Sequence, residues 1–125
     1  MTRGEGAFFR MVNRRGFEVL FDYPIHPYWI SFYFPASNVG VQLFKSSRPP
    51  SWWRHEYIER QGVTMLYLPM RWVTGDHRPG RSRDPRWEKI GKLIDAIEGR
   101  RGNPAKLREE FVIGCYVDLP AIFKR

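Results

Sequence analysis

The side chains of this sequence that are fit for chemistry are chiefly arginines. Arg71, Arg78, Arg81, Arg83 and Arg86 crowd the segment 71–86, Arg14-Arg15 and Arg100-Arg101 form pairs, and Lys45 and Arg54 stand on either side of the Pro49-Pro50 break. A guanidinium is always charged and planar, and it holds a phosphate through two parallel N–H donors. Other reactive types are sparse. His26, His55 and His77 lie far apart and follow no metal-ligand spacing. His55 with Glu56 and Glu59 reads as a solvated helix face. Cys115 sits in an apolar run with no neighbouring cation, which reads as a buried, inert thiol. Neither Gly4-Glu5-Gly6 nor the stretch from Gly75 to Gly80 follows a strand into a phosphate-loop helix.

Composition sets the outer limits. The chain has 125 residues, 42% hydrophobic and 16% aromatic, which is enough for one domain with a real core. Its net charge is +8, from 21 Lys+Arg against 13 Asp+Glu, and most of the cations are arginines. That excess favours nucleic acid, or an assembly rich in it, as partner. Many rings (Trp 5, Tyr 6, Phe 9) can fill a core, stack on bases or anchor a protein interface. With one cysteine no internal disulfide forms, so an intracellular, non-secretory setting is expected, either cytoplasm or an organelle such as the mitochondrion. No apolar run is long enough for a transmembrane helix, and no membrane partner is expected.

Elements follow from periodicity and punctuation. Thr2 and Glu5 have capping-box spacing, and Phe8, Phe9, Met11 and Val12 give an apolar stripe, so a helix is predicted over about 3–15. Phe17 to Tyr23 is rich in β-formers and should end at Pro24; Tyr28 to Phe34 resumes after a His26-Pro27 turn, making a hairpin. Strict alternation puts Tyr28, Ile30, Phe32 and Phe34 on one face, and Trp29, Ser31 and Tyr33 on the other. Val39 to Phe44 reads as a third strand, Ser51 as the cap of a helix over 51–61 closed by Gly62, and Val63 to Leu68 as a strand covered on both faces. A helix joining the third and fourth strands requires them to run parallel. Residues 74–86 form a basic loop, Asp84-Pro85 starts a helix carrying Trp87, Ile90, Leu93, Ile94 and Ile97, and Gly99 stops it. Pro104 to Glu110 reads as a further helical turn, and Phe111 to Leu119 as an extended tail. The fold class is therefore α/β (α+β): one domain over 1–125, with a mixed sheet of about four strands flanked by helices, a core over 1–73, the basic loop, and a C-terminal helix and tail over 87–125.

The ordered set of segments over 2–73 resembles the PD-(D/E)XK, restriction-endonuclease-like superfamily, nearest to its very-short-patch-repair-like and RAP-domain branches. The resemblance is carried by Pro24-Ile25 and Pro27-Tyr28, by Phe32-Tyr33-Phe34-Pro35, by Val39, Val41, Gln42 and Phe44, and by Arg54-His55-Glu56-Tyr57-Ile58 running through Gly62 and Leu66 to Trp72. It places Ser31 where such nucleases carry a strand-borne aspartate, Gln42 where they carry glutamate, and Phe44 at that residue's partner. Mg²⁺ in those enzymes rests on hard carboxylate oxygens, and a hydroxyl, an amide and a phenyl ring do not replace them. Glu5 matches a helix-borne glutamate of the family, and Glu18 and Asp22 on the expected first strand are the other acids that a residual activity would use.

The resemblance and the charge together imply a non-catalytic nuclease-fold protein with no metal and no cofactor. It would bind nucleic acid, RNA in preference to DNA, beside other proteins of a ribonucleoprotein assembly such as an organellar ribosome, in the manner of RAP domains. A metal-dependent DNA endonuclease using Mg²⁺ is the competing reading, and a structural protein-docking subunit the third. The expected binding residues are Lys45, Arg54, Arg71, Arg78, Arg81, Arg83 and Arg86, because the loop leaves the fourth strand beside the end of the third. Arg10, Arg14 and Arg15 form the fallback surface, and Trp29, Trp52 and Trp53 are candidate stacking platforms, at least one of the last two belonging to the core.

Overall fold

A computed structural model describes residues 2–44, 51–74 and 87–99. Helix α1 spans Arg3–Arg14, and both bonds of its capping box are made: Glu5 N–H donates to Thr2 Oγ1 (3.1 Å) and Thr2 N–H to Glu5 Oε1 (2.9 Å). Its stripe of Phe8 and Val12 is buried, and Gly16, at φ +72°, turns the chain away where a side chain would be strained. Strands β1 (Leu20–Ile25), β2 (Tyr28–Phe34), β3 (Val39–Phe44) and β4 (Thr64–Pro69) form one sheet in the order β1-β2-β3-β4. The first two pairings are antiparallel, and β3 with β4 is parallel, joined across helix α2 (Trp52–Arg60) as the crossover requires. Helices α3 (Met70–Thr74) and α4 (Trp87–Gly99) follow. The fold class is α+β, a four-stranded mixed sheet flanked by helices.

The register separates the two faces. Phe32 pairs with Val41 and Val41 with Leu66, and Phe32 lies 4.8 Å, ring to ring, from Phe8 of α1. That face is apolar. One residue further along, Gln42 pairs with Tyr67 on the opposite face, where α2 lies and His55 meets the tyrosine. Helix α3 contacts α1 and α4, and the buried Ile90, Leu93, Ile94 and Ile97 of α4 extend the core. Strand β4 is buried from Met65 to Pro69, as an apolar strand covered on both sides should be.

Four expectations are corrected. Strand β1 begins at Leu20 rather than Phe17, leaves Glu18 outside it, and continues through Pro24 to Ile25. Proline is tolerated there because β1 lies at the sheet edge, where a missing N–H breaks no ladder on the open side. The alternation along β2 is broken at Ser31. Phe32 packs on Phe8, but a Cβ on Gly40, which is on the α2 face, would lie 2.9 Å from Ile30 Cγ2, so Ile30 and Phe32 do not share a face. The neighbouring strand changes sides too: Phe21 meets Phe32, whereas Tyr23 stacks on Tyr33 at 4.1 Å. Between those residues Asp22 sits at φ +54°, a left-handed backbone that Asp tolerates better than most residues. The third correction is α3, which intervenes between β4 and the basic loop, so the loop does not leave the strand directly. Fourth, Gln61 caps α2, with Gly62 (φ +94°) one residue beyond. Lys45, the loop over 75–86, the turn over 104–110 and the stretch 111–119 with Cys115 lie outside the described residues.

Candidate functional site

The adjoining strands β2 and β3 carry Ser31 and Gln42, and the structure joins them. Ser31 N–H donates to Gln42 Oε1 at 3.2 Å. The same oxygen accepts from Arg54 Nη2 at 3.2 Å, and that nitrogen also donates to the Trp29 carbonyl. The Arg54 guanidinium therefore lies against Gln42, with Ser31 beside it. Phe44 is buried.

How Arg54 reaches this place follows from the start of α2. Ser51 is the N-cap, its Oγ accepting from Arg54 N–H at 3.4 Å, which makes Arg54 the third residue of the helix. A cation in the first turn opposes the helix dipole, and no acidic residue in that turn offsets it. Burial also pushes the Arg54 pKa below its ordinary value, and the Tyr67 and Tyr28 hydroxyls act against that shift. Two unfavourable terms are thus accepted at one residue, and the acceptors Gln42 and Trp29 are what hold it there.

A second polar line runs along the same face. His55 is 6% exposed and Tyr67 0%, and His55 Nδ1 lies 2.8 Å from Tyr67 Oη. His55 Nε2 is 4.0 Å from Glu59 Oε2, and that oxygen accepts from Met65 N–H at 2.8 Å, tying the end of α2 to β4. The expectation of a solvated face for His55 and Glu59 is corrected, since the hydroxyl of Tyr67, inside an otherwise apolar strand, requires a buried partner and His55 is it. At the rim, Tyr57 Oη donates to the His26 carbonyl at 2.7 Å and its ring meets Tyr28. Trp29 and Trp53 bracket this region and are 59% and 76% exposed, so neither is core.

Of the predicted binding residues, Arg54 is described and half-buried; Arg71 lies on α3; Lys45, Arg78, Arg81, Arg83 and Arg86 lie outside the described residues. Phe44 and Pro69 pair, so β3 and β4 end side by side. The candidate acids are dispersed. Glu5 is engaged in the α1 cap, and Glu18 and Asp22 are exposed. Among the described residues no group of His, Cys, Asp and Glu is arranged to hold a metal ion, and no helix is long and apolar enough to cross a membrane. No family model, curated protein or solved structure matches this chain.

Proposed function

We propose that this chain is a nuclease-fold protein that has exchanged cleavage for binding, and that it holds nucleic acid, RNA in preference to DNA, within a ribonucleoprotein assembly. The observation that carries the reading is Arg54, whose side chain lies against Gln42 and the Trp29 carbonyl with Ser31 beside it. Without carboxylates there, a guanidinium is the resident cation, and a fixed guanidinium neither activates water nor changes its ligands during a reaction. Positive charge at the start of α2 adds to the helix dipole, a combination that favours phosphate. The net charge of +8 and the exposed rings of Trp29 and Trp53 support the same partner, phosphates on the cations and bases on the indoles. The loop arginines Arg78, Arg81, Arg83 and Arg86, with Arg71 and Lys45, complete the proposed track.

Incubation of labelled RNA and DNA with the protein and Mg²⁺ or Mn²⁺ tests this. We expect intact strands and a retarded complex. Turnover that Glu5→Ala, Glu18→Ala or Asp22→Ala abolishes would restore the endonuclease reading.

A further inference from the structure

On the side of the molecule where α1 and α4 adjoin, away from Arg54, lies an open cleft of about 450 Å³ lined by Ala7, Met11, Arg10, Arg14, Trp87 and Glu88, with Arg15 at its edge. That size suits a small organic ligand, for which pockets run roughly 300–1,000 Å³. Both walls are pinned. Arg15 Nε donates to Asp95 Oδ1 at 2.8 Å, linking α1 to α4, and its Nη1 reaches the Met11 carbonyl at 3.5 Å. Its guanidinium passes where a Cβ on Gly91 would stand, so the glycine makes the close approach possible. On the other wall Trp87 Nε1 donates to the Val73 carbonyl at 3.1 Å, which fixes the indole while leaving the residue 57% exposed.

Between these walls stand cations of a different kind. Arg10 and Arg14 are exposed, and among the described residues they make no hydrogen bond or ion pair. They are four residues apart on α1, a like-charge spacing that disfavours the helix by a few tenths of a kcal/mol. Glu88 is the opposing charge in the cleft, and it is turned toward Lys92 at 3.9 Å. A rigid, exposed indole, an apolar floor of Ala7 and Met11, and a pair of unengaged guanidiniums are the parts that a nucleotide needs, with its flat base on the ring and its phosphate between the cations.

We infer that this cleft is a subsite for one unpaired nucleotide of a single strand, its base stacked on Trp87 and its phosphate held by Arg10 and Arg14. The inference rests on the nucleic-acid reading above but uses a different surface. A base within a duplex has no free face to offer the indole, so the site selects single strands over duplex.

Fluorescence anisotropy with short labelled single-stranded RNA, its DNA counterpart and the RNA duplex tests it on the parent and three variants. We expect Trp87→Ala to weaken single-strand binding about tenfold, the loss of one stacked base. Trp87→Phe should recover most of the affinity, since a ring remains and only the bond to Val73 is removed. Arg10→Ala/Arg14→Ala should lower the salt slope by about 0.7, from the one phosphate that the pair no longer neutralises. Thermal unfolding of each variant confirms that the fold is retained. If the parent binds single strands and folded Trp87→Ala and Arg10→Ala/Arg14→Ala bind as tightly with the same slope, the subsite is refuted and the general reading stands. If the variants lose duplex and single-strand affinity alike, the cleft is a general phosphate track and the inference falls. If the parent binds no nucleic acid, both readings fall together.

Discussion

Arg54 concentrates the tension in this molecule. It is a cation placed at the positive end of a helix and partly withdrawn from water, and it is held by one amide oxygen and one carbonyl. Net hydrogen-bond contributions run near 1 kcal/mol and rise when one partner is charged, while desolvation and the dipole oppose them. We therefore expect Arg54→Ala to destabilise the protein by about 1–2 kcal/mol, and Arg54→Met, which keeps bulk and removes the charge, to cost less; urea denaturation distinguishes the two. A Met variant as destabilised as the Ala variant would mean that the charge itself holds the strands together. Tyr67→Phe removes the hydroxyl that His55 meets and should cost about 1 kcal/mol by the same measurement.

Among the elements, the break at Ser31 shapes the α2 face. Ile30 is brought over Gly40, where a Cβ would lie 2.5 Å from Met65 Sδ and 2.9 Å from Ile30 Cγ2. Met65 can swing aside, but β-branched Ile30 is stiff, so Gly40→Ala should cost about 1–3 kcal/mol as an overpacked core does; a melting temperature equal to the parent's would contradict the close approach. Nearby, burial raises the Tyr33 pKa, with a smaller contribution from Tyr23, and Tyr33 Oη donates to Asn38 Oδ1 at 2.6 Å. The folded state thus holds this proton more tightly than the unfolded chain. The stabilisation is complete below the unfolded value near 10.0 and is lost as pH rises through the higher folded one. Tyr33→Phe should flatten that alkaline decline in stability.

The strands were legible because their β-formers are punctuated by turns, and the parallel pairing because a helix-length segment separates Phe44 from Thr64. The change of faces was not legible, since it depends on a left-handed Asp22 and on Gln42 reaching a backbone amide across the sheet. Alternation assumes a regular ladder, and here a side chain interrupts it. Helix α3 carries no start signal, because Met70-Arg71-Trp72-Val73 follows a strand with no capping residue between. Arg54 was visible as a cation but not as an inward one, because its acceptors sit on β2 and β3, far along the chain. His55 and Tyr67 offered one usable signal, a hydroxyl stranded in an apolar strand, which demands a donor or acceptor from the covering helix.

For the whole molecule, the proposed partner is argued from charge. A net +8 on 125 residues, with arginine predominant, implies counterion release when phosphate is bound. Replacing Arg78, Arg81, Arg83 and Arg86 together by Ala should weaken binding evenly across sequences and flatten the salt dependence by about one unit for each phosphate that is no longer neutralised. Stability should change by less than about 0.5 kcal/mol per substitution. An unchanged slope would move the binding surface to Arg10, Arg14 and Arg15. The most direct test of the central claim is the equilibrium affinity of the full chain for a labelled single-stranded RNA across a salt series. We expect tight binding at low salt and a steep linear fall of log affinity with log salt. Absence of binding at low salt, or an affinity that salt leaves unchanged, would contradict it.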